Sequence, residues 1–119
     1  MSLKTGDEYV ESIKSLGLKA NVMGEKTDNL PQYPLVEPSI RAVAATYDCA
    51  HNAETKPLFR VKSTISGEEI NRFTHLHQST QDLMNKVIMQ RYCGNVTACC
   101  FQRCVGLDAA NAVFSVTYE

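Results

Sequence analysis

The sequence predicts a mostly α-helical fold with extended connectors. Four segments repeat apolar residues at the three- and four-residue spacing of a helix. Residues typical of helix ends bound most of these segments. The stretches between them contain prolines and glycines and cannot continue a long helix. Together these observations indicate one helical layer joined by extended connectors.

The first helix is predicted in TGDEYVESIKSLG, where Thr5 and Glu8 have the spacing of a capping box. Gly17 is expected to end it. The apolar residues between them fall on one helical face: Tyr9, Ile13 and Leu16. A second helix is predicted from Pro38 toward His51. Its apolar residues again have helical spacing: Ile40, Val43, Ala44 and Tyr47.

Two stretches are predicted to be extended. The first separates these helices and contains Gly24 and several prolines, so it is expected to be rich in turns. The second, LFRVKSTISGEE, alternates or is β-branched and is expected to form a hairpin arm that turns at Gly67. A short helical turn is expected over Glu68–Phe73.

The segment HQSTQDLMNKVIMQRYCGN has the clearest helical pattern. Ser79 or Thr80 is expected to cap it, Asp82 lies in its first turn, and Gly94–Asn95 is expected to end it. Its i,i+4 apolar pairs are Leu83 with Val87 and Met84 with Ile88. A last helix is predicted from about Thr97 to the C-terminus. Because it is apolar nearly all round, it is expected to be central in its packing.

Composition indicates a globular domain. Of 119 residues, 44% are apolar and 21% are charged, which is an ordinary balance. The net charge of −1 gives no electrostatic reason to bind nucleic acid or an anionic membrane. The cysteines, without a secretory signal, favour reduced thiols in the cytoplasm.

The end of the sequence predicts a piece of a longer protein. The chain stops at AVFSVTYE, without the glycine, proline or polar tail that usually closes a domain. We expect residues 1–119 to form one N-terminal helical domain, with residues 1–3 as a candidate expression leader.

Cysteines are concentrated at the start of the last predicted helix. Cys100 and Cys104 are four residues apart, so they lie one above the other on a helix, while Cys99 lies about 100° away. The same stripe continues through Leu107, Asn111 and Phe114. The spacing leaves two interpretations open: small apolar residues packed in a helix, or thiolates offered to one metal centre. Further ligands would then come from Cys49, Cys93 or the chain beyond residue 119.

Two histidines precede the helix that Ser79 or Thr80 caps. His75 and His77 form a His-x-His pair that could bind metal on a strand, but loop histidines that satisfy helix-terminal groups are the favoured interpretation. The sequence assigns no role to Cys99 or Gln102. No phosphate-binding glycine loop and no Ser-His-Asp arrangement is recognisable, so no catalytic residue is predicted in this segment.

Two long stretches strongly resemble the N-terminal part of the 4-hydroxyphenylacetate 3-hydroxylase flavoprotein family, in its acyl-CoA dehydratase branch. They are GEEINRFTHLHQSTQDLMNKVIMQR and TACCFQRCVGLDAANAVFSVTYE. TGDEYVESIKSLGLKANVMGEK and PLVEPSIRAVAATYD fit the same pattern, so the resemblance covers nearly the whole chain. CFQRCVG is its most specific part, because the hydroxylases of the family lack this cysteine pair.

The resemblance implies a fold like that of acyl-CoA dehydrogenases, with FAD and a [4Fe-4S] cluster in the complete enzyme. It implies that Cys100 and Cys104 are two of the cluster's ligands, and that a Cys and a His from a later domain complete the set. The implied reaction is dehydration of 4-hydroxybutyryl-CoA to crotonyl-CoA, with isomerisation of vinylacetyl-CoA. The implied partners are an acyl-CoA, the remainder of the same chain, and further copies in a homotetramer.

Two other classes stay open. A flavin-dependent aromatic hydroxylase of the same family would keep the fold without needing the two thiols. A small metal-binding or interaction module would need no further domains. Under the resemblance, the segment alone is expected to be inactive and to hold no complete cluster, because it carries two of the four ligands.

Overall fold

The computed structural model describes residues 3–98 and 103–118. Its helices are α1 (Gly6–Lys14), α2 (Glu37–Asp48), α3 (Lys56–Phe59), α4 (Thr80–Thr97) and α5 (Arg103–Thr117). Its strands are β1 (Ala20–Val22), β2 (Glu25–Thr27), β3 (Arg60–Lys62) and β4 (Glu69–Asn71), and 3₁₀ turns span Leu30–Gln32 and Arg72–Thr74. Most of the ordered elements are helical, so the predicted mostly α fold is confirmed. Lys4–Asp48 form one compact unit and Cys49–Glu119 another.

The first helix begins with the predicted capping box. Thr5 Oγ1 accepts from the Glu8 N–H at 3.2 Å, and Glu8 Oε2 accepts from the Thr5 N–H at 2.8 Å. The helix ends at Lys14, and Leu16 lies beyond it with 66% of its surface exposed. The predicted place of Leu16 on the apolar face is therefore wrong. Gly17, at φ 57°, turns the chain before another helical turn can form.

The helices α1 and α2 pack against each other through the faces that the sequence predicts. The rings of Tyr9 and Tyr47 stack with their centroids 4.8 Å apart. The Gly6 N–H donates to Asp48 Oδ1 at 2.7 Å, and a Cβ atom at Gly6 would lie 2.5 Å from the other carboxylate oxygen. Only glycine permits this close approach between the start of α1 and the end of α2. Two of the apolar residues with helical spacing in α2, Ile40 and Ala44, are buried in the structure.

The stretch between α1 and α2 is extended and rich in turns, as predicted. It contains an antiparallel hairpin in which β1 pairs with β2. Met23 and Gly24 connect the strands with φ values of 53° and 89°, the consecutive positive values of a two-residue hairpin turn. The sequence does not predict this hairpin, because methionine is an unusual residue at the first of these positions.

The predicted hairpin in the second unit is confirmed. β3 pairs antiparallel with β4, and Gly67 turns the chain at φ 72°. The short helical turn predicted over Glu68–Phe73 is misplaced, because β4 continues the ladder to Asn71. The turn that forms is a 3₁₀ turn over Arg72–Thr74, which the Asn71 side chain caps by accepting from the Phe73 N–H.

Aromatic residues form the centre of the second unit. Phe59 is fully buried at the end of α3, a helix that the sequence does not predict. Its ring lies 6.5 Å from that of Phe73 and 5.8 Å from that of Tyr92, measured between centroids. The apolar residues that α4 and α5 add to this core are Met89, Cys93 and Leu107. Cys93 thus lies in the core of the unit.

The boundary between the last two helices differs from the prediction. The Ser79 side chain caps α4, as predicted, but the helix continues through Gly94 and Asn95 to Thr97. Ala98 then adopts the left-handed conformation with φ 52°. Thr97 therefore ends α4 instead of beginning the last helix. An interior glycine costs a helix about 1 kcal/mol relative to alanine, and burial of the neighbouring turn outweighs that cost.

Apolar residues on both final helices are exposed in the described part of the chain. On α5, Leu107 is buried, with 2% of its surface exposed. Other large apolar residues of the same helix are exposed: Val105, Val113, Phe114 and Val116. The prediction that this helix is central in its packing is therefore wrong for the segment. The exposed apolar residues of α4 include Leu83, Met84, Val87 and Ile88. No helix within residues 3–98 and 103–118 is long and apolar enough to cross a bilayer.

Candidate functional site

The two predicted metal ligands belong to the segment that leads into α5. Cys104 is the second residue of α5. Cys100, like Cys99 and Gln102, lies outside the described residues, so a common face for the two thiols stays a prediction. Because Cys104 is part of α5, the contacts that hold this helix determine where Cys104 lies.

Polar side chains, several of them buried, meet where α5 approaches α4 and the segment before α4. We call this group the polar cluster: Arg72, His75, His77, Asp82, Lys86, Asp108 and Asn111. Three of its members are almost completely buried, with Arg72 at 5%, His75 at 3% and Lys86 at 9% exposure. Burial of this kind is costly unless the groups have partners, so their pairing determines what the cluster does.

Asp82 is the acidic centre of the polar cluster. Its Oδ1 lies 3.4 Å from His75 Nε2 and 3.6 Å from Arg72 Nη1. Arg72 also donates from Nε to the carbonyl of Leu58 at 2.7 Å. These contacts tie the 3₁₀ turn and the residues after it to both α3 and the first turn of α4.

The cluster shifts the pKa of its own members. Burial raises the pKa of Asp82, but the Gln78 N–H, the His75 imidazole and the Ser79 hydroxyl outweigh it, so the net pKa lies below its usual value. Burial lowers the pKa of Arg72, and the charge of Asp82 opposes that effect. Asp82 is therefore ionised at neutral pH and is the carboxylate that faces Arg72 and His75.

His77 is held in its neutral form. Burial is the largest cause that lowers the pKa of its imidazole, and Lys86 and His75 lower this pKa further. The carboxylates of Asp82 and Asp108 oppose these effects without cancelling them. The His77 ring centroid lies 6.3 Å from that of His75. Within residues 3–98 and 103–118, no three His, Cys, Asp or Glu side chains are close enough to hold a metal ion. The two histidines therefore offer at most a pair of ligands there.

Asn111 connects α5 to the segment that precedes α4. Its Oδ1 accepts from the His77 N–H at 2.8 Å, and its Nδ2 donates to the His75 carbonyl at 3.1 Å and to the Leu107 carbonyl at 2.9 Å. A second link joins the two helices, because Lys86 on α4 forms an ion pair with Asp108 on α5. Directional polar contacts and the buried Leu107 thus hold α5 in place.

A cleft of about 360 Å³ lies beside this connection. Its lining includes one imidazole, two carboxamides and two aromatic rings, from His77, Gln78, Asn111, Phe114 and Tyr118. The volume falls at the lower end of the range for small-molecule sites.

The sequence predicts only part of the cluster. Its pattern indicates His75 and His77 and places Asn111 on the stripe of Cys104. It assigns no site role to Arg72, Asp82, Lys86 or Asp108. A lysine and an asparagine inside otherwise apolar helical runs are the signals that could have revealed the contact between α4 and α5.

Comparisons with known proteins give consistent matches. Residues 5–119 match the family described as 4-hydroxyphenylacetate 3-hydroxylase N terminal. The chain is 50% identical over 117 residues to a 4-hydroxybutyryl-CoA dehydratase/vinylacetyl-CoA-Δ-isomerase from Clostridium aminobutyricum. The matched residues make up 98% of this chain and 24% of that protein. The chain is 33% identical over 81 residues to the oxygenase component of a 4-nitrophenol 2-monooxygenase from Rhodococcus sp, covering 67% of this chain and 15% of that protein.

A solved structure shares the fold. An oxygen-tolerant archaeal 4-hydroxybutyryl-CoA dehydratase from N. maritimus superposes with a TM-score of 0.90 and 42% identity, over 99% of this chain and 23% of that one. The chain therefore spans about a quarter of the length of the dehydratases that it matches.

Proposed function

Because the chain belongs to the 4-hydroxyphenylacetate 3-hydroxylase N-terminal family, we propose that it is the N-terminal part of a 4-hydroxybutyryl-CoA dehydratase. In this proposal the complete enzyme forms crotonyl-CoA and also isomerises vinylacetyl-CoA. One observation carries the proposal. The identity to the clostridial dehydratase is higher, and covers more of this chain, than the identity to the nitrophenol monooxygenase component.

The donor set of CFQRC supports an iron–sulfur centre. Thiolates are the usual protein ligands of iron–sulfur clusters. Cys100 and Cys104 would supply two of the four protein ligands of a [4Fe-4S] cluster. We propose that a Cys and a His from the remainder of the chain supply the others. When bound, the cluster supplies a Lewis acid for the departing hydroxyl, and FAD supplies one-electron chemistry.

The described residues of this segment act by positioning. The polar cluster anchors the segment before α4, and Asn111 and Asp108 anchor α5 to that segment and to α4. In this proposal the catalytic base and most FAD contacts lie outside the segment. The 119-residue chain alone is then inactive and holds no complete cluster, because half of the ligands are missing.

The exposed apolar faces of α4 and α5 support a larger assembly. Monomeric proteins rarely leave adjacent apolar faces in water. We propose that the remainder of the same chain covers these faces in an acyl-CoA-dehydrogenase-like fold. The complete enzyme would be a cytoplasmic homotetramer that takes an acyl-CoA substrate.

Assays of the full-length protein test the proposed function. Under anaerobic conditions, we expect conversion of 4-hydroxybutyryl-CoA to crotonyl-CoA, and of vinylacetyl-CoA to the same product. A parallel aerobic reaction supplies reduced FAD and 4-hydroxyphenylacetate or 4-nitrophenol, the substrates of the related monooxygenases. Hydroxylation of either phenol without dehydration would assign the protein to the monooxygenase branch. Absence of both activities from an iron-free protein would favour an interaction module.

A further inference from the structure

We propose that Asn111 is a positioning residue for Cys104: its carboxamide sets the rotation and axial position of α5 against the segment before α4. The inference rests on the proposed function, because it takes Cys104 as a cluster ligand. In this inference Asn111 acts on Cys104 through the helix to which both residues belong.

The Asn111 carboxamide makes three hydrogen bonds. Its oxygen accepts from the His77 N–H, and its nitrogen donates to the carbonyls of His75 and Leu107. The contacts to His75 and His77 involve main-chain atoms 36 and 34 residues away in sequence. The carboxamide therefore joins the main chain of that segment to the main chain of its own helix.

The segment that Asn111 grips is itself fixed. His75 is 3% exposed and its imidazole faces Asp82 in the first turn of α4. Arg72, just before it, donates to the carbonyl of Leu58 at 2.7 Å. A helix tied to these main-chain atoms is thus tied to α3 and α4 at once.

The other contacts of α5 are less directional. Leu107 is 2% exposed, but apolar packing tolerates small rotations better than hydrogen bonds do. The Lys86–Asp108 ion pair uses a long flexible side chain, and the Asp108 side chain is 57% exposed. Asn111 is a short side chain with main-chain partners on both sides, so it defines the helix setting most closely.

Helical periodicity connects this setting to Cys104. Cys104 lies three, four and seven residues before Leu107, Asp108 and Asn111, so all four positions share one face of α5. Seven residues correspond to about 10 Å of rigid helix. A rotation of about 25° would move a Cα atom on this helix by about 1 Å. Displacements of that size in a reacting centre cost roughly 100-fold in rate.

The test compares two substitutions in the anaerobic full-length protein. Asn111→Leu removes all three hydrogen bonds at similar volume. Asn111→Asp keeps the acceptor for the His77 N–H, loses both donors, and places a carboxylate against two carbonyl oxygens. Thr117→Val is the matched control, because its hydroxyl bonds only within α5, to the Val113 carbonyl at 2.8 Å.

Four readouts separate positioning from simple loss of stability. We expect both Asn111 variants to assemble a cluster with an altered Mössbauer spectrum and to release iron to a chelator about tenfold faster, at the low end for residues that support metal ligands. The kcat for dehydration falls while KM for the acyl-CoA is unchanged. Amide exchange at His77 rises in the leucine variant. The control matches the wild type in each readout.

The outcomes also separate this inference from the proposed function. Wild-type protein without iron and sulfide would refute the cluster assignment, and the inference would then fail with it. Wild-type protein with a cluster, and variants with the same spectrum and iron release, would refute only the role of Asn111. Failure of both variants to fold would show a general stabilising role and would also overturn the inference.

Discussion

At the residue scale, Asp82 is the side chain on which the polar cluster depends. It lies in the first turn of α4, where the helix dipole and main-chain N–H groups favour a negative charge. It also faces two buried side chains, the Arg72 guanidinium and the His75 imidazole. The same carboxylate therefore stabilises the start of a helix and compensates the burial of its partners.

Asp82→Asn tests this role through the pH dependence of stability. The pKa of Asp82 is depressed in the folded protein, so its contribution is complete above its unfolded-state pKa of about 3.9 and is lost as the pH falls through the folded value. We expect the substitution to lower the free energy of unfolding by about 2 kcal/mol at pH 7, the range for hydrogen bonds to charged groups. Below pH 4 the difference should shrink progressively. Urea unfolding at several pH values measures it.

Glu54→Gln is the control for this prediction, because Glu54 is an exposed acid. Its unfolding free energy should differ little from that of the wild type at any pH, as is usual for surface substitutions. An Asp82→Asn effect that is as large at pH 3 as at pH 7 would show that the carboxylate charge is not what stabilises the cluster.

At the scale of elements, one ion pair spans α4 and α5 with unequal exposure. The Lys86 side chain is 11% exposed, whereas that of Asp108 is 57% exposed. Removing one partner of a pair is costly when the other remains buried and cheap when it can return to water. The two ends of this pair should therefore respond differently to substitution.

Asp108→Asn should be the more damaging of two substitutions. It leaves the Lys86 ammonium buried without its counter-charge, which should cost about 3 kcal/mol. Lys86→Met fills the same space with an apolar side chain and lets Asp108 return to water, so it should cost less than about 1 kcal/mol. Chemical denaturation of both variants decides the order. The opposite ranking would mean that Asp108, and not Lys86, depends on the pair.

Local signals in the sequence were sufficient for some elements. The caps at Thr5 and Ser79 and the turn at Gly67 depend on residues within a few positions, so their patterns predict them correctly. The continuation of α4 past Gly94 depends on packing of the helix against the rest of its unit. A propensity rule that looks only at neighbours cannot include that contribution.

The candidate site was only partly predictable for the same reason. The helical spacing that sets Cys104 on the stripe of Leu107 and Asn111 is local, and in the structure Leu107 is buried. The bonds from Asn111 to the main chain of His75 and His77 join positions more than 30 residues apart. No local pattern encodes that pairing.

At the scale of the whole molecule, the segment corresponds to about a quarter of the dehydratases that it matches. Its fold follows that of the archaeal dehydratase closely, with a TM-score of 0.90. We propose that α5 and the residues before it carry half of the ligands of an iron–sulfur cluster, which the remainder of the enzyme completes.

Cys104→Ser in the full-length protein tests this claim most directly, with Cys99→Ser as the matched control. Serine is nearly isosteric but is a harder and much weaker acid, so it is a poor ligand for cluster iron. We measure iron, sulfide and FAD per protein together with anaerobic dehydration of 4-hydroxybutyryl-CoA. We expect Cys104→Ser to lose iron and activity together while FAD is at least partly retained, and Cys99→Ser to keep both iron and activity. Full iron and full turnover in Cys104→Ser would contradict this proposal and leave Cys104 as a packing residue.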